Sequence, residues 1–199
     1  ASTTSINLFS DGPGGGSSVA GSLSDAGGTS GVSASTLTIQ ANGGVSMTGG
    51  GNNVATLSIN NQGTGNISFS NSRSGTLSLS GLNQNVNAAT ATITNSGAMS
   101  VDNNLAYTTD GNMTLNAGGT ITLTQDVSTA GGTGARLTLN ATSGGVNQSV
   151  STKKITTQDL LLTGAGSFTL TSSAKNTSKL AAGVTGALSY TDTNALTVD

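Results

Sequence analysis

Short segments of apolar, hydroxyl, apolar order recur through this chain from about residue 36 onward. Leu37-Thr38-Ile39, Val45-Ser46-Met47, Leu57-Ser58-Ile59, Ile67-Ser68-Phe69 and Leu77-Ser78-Leu79 open the series. Met113-Thr114-Leu115, Ile121-Thr122-Leu123, Leu137-Thr138-Leu139 and Phe168-Thr169-Leu170 continue it. A period of two places both apolar side chains on one face of a strand and the hydroxyl on the other. Neighbouring segments often start about 8–10 residues apart, as in positions 37 and 45, 57 and 67, 113 and 121, and 160 and 168. A longer period sits above that one. Leu37, Leu57, Leu77, Met99 and Ile121 follow one another at intervals of roughly 20–22 residues, and Leu160 and Leu180 resume the same step. Two or three short strands in each such repeat suit one coil of a β-solenoid, which buries its apolar strip only against neighbouring coils.

Composition removes the rival readings. Long helices lack material, because Glu is absent while 33 Thr and 29 Ser are present. Disordered chains are low in hydrophobicity and high in net charge, whereas this one is 33% hydrophobic, periodically so, with a net charge of −2. An antiparallel sandwich also spaces its strands closely, but it needs longer strands and an aromatic-rich core. Aromatics here are 3%. Gly and Asn punctuate the strands, as in Asn42-Gly43-Gly44 and Asn116-Ala117-Gly118-Gly119, where sharp corners are needed.

The expected fold is therefore all-β, a parallel β-helix (β-solenoid) with coils of about 20–22 residues. Leu should stack on Leu at about 4.8 Å, and Asn at equivalent corners should bridge coils. Residues 1–35 read as a Gly/Ser-rich first coil, with Ile6-Asn7-Leu8 as its strand. Its long loop is built on Asp11-Gly12-Pro13-Gly14-Gly15-Gly16-Ser17-Ser18 and Gly27-Gly28-Thr29-Ser30-Gly31. Residues 36–199 read as one regular domain with small insertions at 125–135 and 147–159. The pattern is already running at Ala1, which reads as an excerpt of a longer chain.

The inventory for chemistry is thin. With no His and no Cys, a Ser-His-Asp triad, thiolate nucleophiles and the usual transition-metal sites are all excluded. Ser151-Thr152-Lys153-Lys154 and Ser172-Ser173-Ala174-Lys175 carry a Ser-x-x-Lys spacing that this Ser content produces by chance. A polysaccharide-cleaving β-helix needs carboxylates gathered on one face. Asp102, Asp110, Asp126, Asp159 and Asp192 are instead spread at one per coil or fewer, and Asp102 and Asp126 are not expected to align. Gly131-Gly132-Thr133-Gly134-Ala135-Arg136 puts Arg where a calcium-binding repeat needs Asp. Five Asn-x-Ser/Thr sequons, at Asn66, Asn112, Asn140, Asn147 and Asn176, are no more than the composition predicts. Nothing calls for a cofactor or a metal. The net charge leaves no electrostatic footprint for nucleic acid, and no apolar run approaches the roughly 20 residues of a membrane span. Lys175 and Lys179 form one small basic cluster, a candidate contact for an acidic glycan, against the plainer role of a solvated edge.

Gly111-Asn112-Met113-Thr114-Leu115-Asn116-Ala117-Gly118-Gly119-Thr120-Ile121-Thr122-Leu123 resembles the repeats of filamentous haemagglutinin-like exoproteins, which bacteria export by two-partner secretion. The cadence returns in Gly164-Ala165-Gly166-Ser167-Phe168-Thr169-Leu170 and Gly186-Ala187-Leu188-Ser189-Tyr190, so the resemblance spans roughly residues 36–199. It implies a right-handed parallel β-helix, passage through a partner pore, and a secreted or surface-exposed rod that presents adhesive regions. The family's amino-terminal secretion domain carries an Asn-Pro motif that residues 36–199 lack. The expected role is structural and adhesive rather than catalytic, with a cell-surface or glycan receptor and end-to-end self-association as candidate partners. Two alternatives remain: a carbohydrate-binding or carbohydrate-active β-helix, and an ice- or surface-binding solenoid, which would need in-register Thr-x-Thr rows.

Overall fold

The computed structural model describes residues 4–10, 21–85, 88–107, 110–129, 134–148 and 150–199. The Asp11–Ser18 loop and positions 130–133 lie outside the described residues. All described regular structure is β-strand, and every strand pairing is parallel.

The pairings sort the strands into three stacks along the rod. The inward residues of the second stack run Leu23, Val45, Ile67, Ala91, Met113, Leu137, Leu160, Leu180 and Val198, each the register partner of the next. Nine rungs at about 4.8 Å make a rod roughly 40 Å long. The first stack carries Leu8, Ile39, Ile59, Leu82, Leu105, Val127 and Ile155 in the same way. The third carries Leu77, Met99, Ile121, Val146, Phe168 and Leu188. One contiguous apolar core results, and the described part of residues 1–35 joins it: Ser5–Ser10 pairs with positions 36–41 and Leu23–Ser24 with positions 45–46. Ile6-Asn7-Leu8 is thus the strand that its alternation predicts.

Two expectations need correction. Leu57 stacks on Leu79, not on Leu77. Register shifts after Leu57, where Ser80 is an extra residue and its hydroxyl donates to the Leu57 carbonyl at 3.2 Å. A bulge of this kind bends its strand. Here the Leu77–Gln84 strand divides, so that Leu79 continues to Val101 and Leu82 to Leu105, and coils of two long sides become coils of three. Coil length is also less uniform than the repeat suggests. The step between register partners is short from Leu37 to Leu57, longer from Ile67 to Ala91, and longer again from Val127 to Ile155. The long step from Val127 to Ile155 overlaps both expected insertions, 125–135 and 147–159. In the second expected insertion, however, Val146–Gln148 and the start of Ile155–Gly164 are strands.

Buried amides tie the coils at their corners. Asn71 Oδ1 accepts from the Val54 N–H at 2.8 Å and its Nδ2 donates to the Val54 carbonyl at 2.9 Å. The side chain thereby acts as a one-residue strand beside Val54. Asn71 Nδ2 also donates to Asn95 Oδ1 of the next coil at 2.9 Å, and Asn61 Nδ2 to Gln84 Oε1 at 2.8 Å. The corner ladder anticipated from Asn placement is present, with Gln completing one rung. Asp25 pins a corner near the first coil. Burial raises its pKa, but donors from Gly49, Asn52 and Gly27 outweigh that and hold the carboxyl below 3.8. Gly164, at φ +116°, sits where an added Cβ would lie 1.9 Å from the Ala141 carbonyl oxygen, so only glycine fits that corner.

Candidate functional site

A regular surface runs along the outer face of the second stack. Strands that send Met113 and Leu115 inward must send Asn112, Thr114 and Asn116 outward. Parallel register then aligns the outward residues in columns. The middle column reads Ser24, Ser46, Ser68, Thr92, Thr114, Thr138, Leu161 and Ala181. Beside it run Ser70, Thr94, Asn116, Asn140 and Thr163, where Asn140 Nδ2 donates to Asn116 Oδ1 at 3.2 Å and Asn116 Nδ2 to Thr94 Oγ1 at 3.3 Å. On the other side run Thr90, Asn112, then the register-paired Arg136, Asp159 and Lys179. The Arg136 N–H donates to Asn112 Oδ1 at 3.0 Å, which links this column across the coils. Thr90-x-Thr92-x-Thr94 is a full hydroxyl row, but the rows above it read Asn-Thr-Asn, Arg-Thr-Asn and Asp-Leu-Thr. The face is polar and regular without being a uniform threonine array.

At its charged end this face forms a groove of about 300 Å³ lined by Arg136, Asp159, Leu161, Lys179, Ala181 and Asp199. Arg136 is 53% exposed, and its guanidinium lies 3.7 Å from Asp159 Oδ2, a loose pair rather than a direct hydrogen bond. Asp159 Oδ1 has no hydrogen-bond partner.

The two lysines singled out from the sequence do not share a surface. Lys179 is exposed on the groove. Lys175 is 1% exposed. Its Nζ donates to the Ser172 carbonyl and lies 5.2 Å from the centre of the Tyr190 ring. Burial lowers its pKa from 10.5 to about 8, with Asp192 pulling the other way. A buried ammonium cannot touch a glycan, so the pair as a basic cluster is corrected to Lys179 alone. Sequence reasoning assigned both to solvent because lysine is rarely buried. The Ser172 hydroxyl lies 2.6 and 2.8 Å from the carbonyl oxygens of Ser151 and Lys153, and so is directed away from nucleophile work.

Asp102 and Asp126 lie between strands and tie neighbouring coils. Asp102 accepts from the hydroxyls of Ser78 and Ser100 at 2.6 and 2.5 Å, on successive coils. Asp126 Oδ1 accepts from the Lys154 N–H at 2.8 Å. Among the described residues no three His, Cys, Asp or Glu gather as a metal site, and no helix is long and apolar enough to cross a membrane.

No protein-family model, curated protein or solved structure matches this chain.

Proposed function

We propose that this chain is a structural and adhesive rod segment of a bacterial exoprotein, secreted or held at the cell surface. The observation that carries the reading is the continuity of the apolar columns from coil to coil. It makes a stiff spacer with a polar, patterned exterior. The cadence shared with filamentous haemagglutinin-like repeats supports the exoprotein origin. Coil-on-coil architecture also suits export through a partner pore. Each coil pairs with the one just before it and the one just after it in the sequence, so folding can propagate as the chain emerges. Inward apolar side chains of the end coils are incompletely covered: Ile6 and Leu8 are only partly buried, and Val198 is 72% exposed. Stacking on another copy, or on further coils of the same polypeptide, would cover them.

Electron microscopy of the purified chain with class averaging tests the reading. Thin rods with an axial repeat of about 4.8 Å are expected, and rods longer than one chain would establish end-to-end association. Compact particles without the repeat would overturn it.

A further inference from the structure

We propose that the groove beside Leu161 is a binding site for a single neutral sugar ring. It would operate on one isolated rod, so it does not depend on fibre formation.

Three observations converge there. The outward middle column is hydroxyl-bearing from Ser24 to Thr138 and then turns apolar at Leu161 and Ala181. Both are partly exposed, which places an aliphatic step on an otherwise polar face. The C–H face of a sugar ring suits such a step, because it is itself apolar while its rim is polar. Alongside, Arg136, Asp159 and Lys179 are adjacent in register, presenting donor, acceptor and donor in order. Neighbouring ring hydroxyls both donate and accept, and so match that alternation.

The second observation is the poor satisfaction of Asp159. Oδ1 is buried without a partner, and Oδ2, on a side chain 21% exposed, stands 3.7 Å from Arg136, so Oδ2 is the oxygen that faces the groove's guanidinium. A gap of that size between opposite charges accommodates a bridging hydroxyl that donates to the carboxylate and accepts from the guanidinium. The third is charge. Arg136 and Lys179 are balanced by Asp159 and Asp199 on the groove wall, so the site has no net pull on an anion. A volume of about 300 Å³ lies at the small end of ligand sites, which run from roughly 300 to 1,000 Å³. With no aromatic platform, binding should be weak, at about the millimolar level.

Methyl-resolved NMR titration of the full chain tests this. The probes are methyl glycosides of glucose, galactose, mannose and N-acetylglucosamine, with glucuronic acid as the charged comparison. At least one neutral glycoside is expected to shift the Leu161 and Ala181 methyls saturably at millimolar concentration. Asp159→Asn and Lys179→Met should each weaken it about tenfold or more, a factor that corresponds to one lost hydrogen bond to a charged group. Lys179 is exposed, and the Arg136–Asp159 pair is loose with Arg136 53% exposed, so neither change removes a strong contact and the variants should fold. Unmoved methyls elsewhere in the spectrum would establish that they do. No saturable shift with any neutral glycoside up to about 50 mM, far above the expected Kd, would overturn the proposal. So would binding unchanged in both variants, or glucuronic acid binding tighter than every neutral probe.

Discussion

Replacing Asn71 with Leu is expected to destabilise the rod by about 3–5 kcal/mol, because it strands three buried polar groups at roughly 1–3 kcal/mol each and recovers part of that as apolar burial. The groups are the Val54 N–H, the Val54 carbonyl and Asn95 Oδ1. The first two have the Asn71 amide in place of a neighbouring strand. Leu matches Asn in branching and heavy-atom count, so no cavity opens. The loss would report the missing hydrogen bonds together with some crowding by the bulkier methyls. Equilibrium denaturation measures it, with Thr114→Ser on the outer face as the control, expected to shift stability by no more than about 0.5 kcal/mol. Hydrogen exchange at the Val54 amide should accelerate in parallel. A loss below about 1 kcal/mol would mean the corner amides are dispensable and the aliphatic columns hold the coils unaided.

Lys175 gives the second large effect, and its sign is unusual. Burial lowers its pKa in the folded rod to about 8, below the ordinary 10.5, so the unfolded chain binds the proton more tightly. Between those values the unfolded state carries more protons, and stability must rise with pH. From pH 8 to about 10 the gain should reach roughly 2–3 kcal/mol. Above about pH 10 the slope should reverse. There Tyr107 and Tyr190, whose pKa values burial raises, keep protons that they lose on unfolding. The groups facing Lys175 are the Tyr190 ring, the Ser172 carbonyl and Asp192, whose carboxylate already accepts from the Tyr190 hydroxyl at 2.8 Å. Lys175→Met should abolish the rise and make the rod more stable at pH 7 by about 1–3 kcal/mol, since a buried charge gives way to an apolar chain of similar reach. Thermal melts of both proteins across pH 7–10 decide it; a flat wild-type profile would place the ammonium in water.

The sequence was legible wherever strands kept the apolar, hydroxyl, apolar order. Val45–Met47, Met99–Val101, Ile121–Leu123 and Phe168–Leu170 fall where the alternation puts them. Leu105–Tyr107 and Val146–Gln148 escaped because Ala and Asn replace the outward hydroxyl, and Gln148 points inward where an aliphatic was expected. The divided strand had a local signal. Leu79 and Leu82 are three apart, which breaks a period of two and marks the bulge. Counting in whole repeats passed over it. The groove was also written in the sequence, although it was not read there. Arg136, Asp159 and Lys179 each directly precede a residue of one column, Leu137, Leu160 and Leu180. Charges in that position must line up once the register is known. Nothing comparable announced the buried Lys175, because its burial depends on Ser172 and on Tyr190 from the next coil closing around it.

Parallel register has a mechanical side. Hydrogen bonds between coils point along the rod, so tension applied at its ends loads them in series and opens one coil at a time, as a zipper opens. A coil such as Leu37 to Leu57, drawn out at about 3.3–3.6 Å per residue, would lengthen the chain by roughly 60 Å, and the longer coil from Val127 to Ile155 by roughly 90 Å. A rod built this way is stiff at rest and lets out length under strain, so an abrupt pull on one end reaches the other as a succession of small yields.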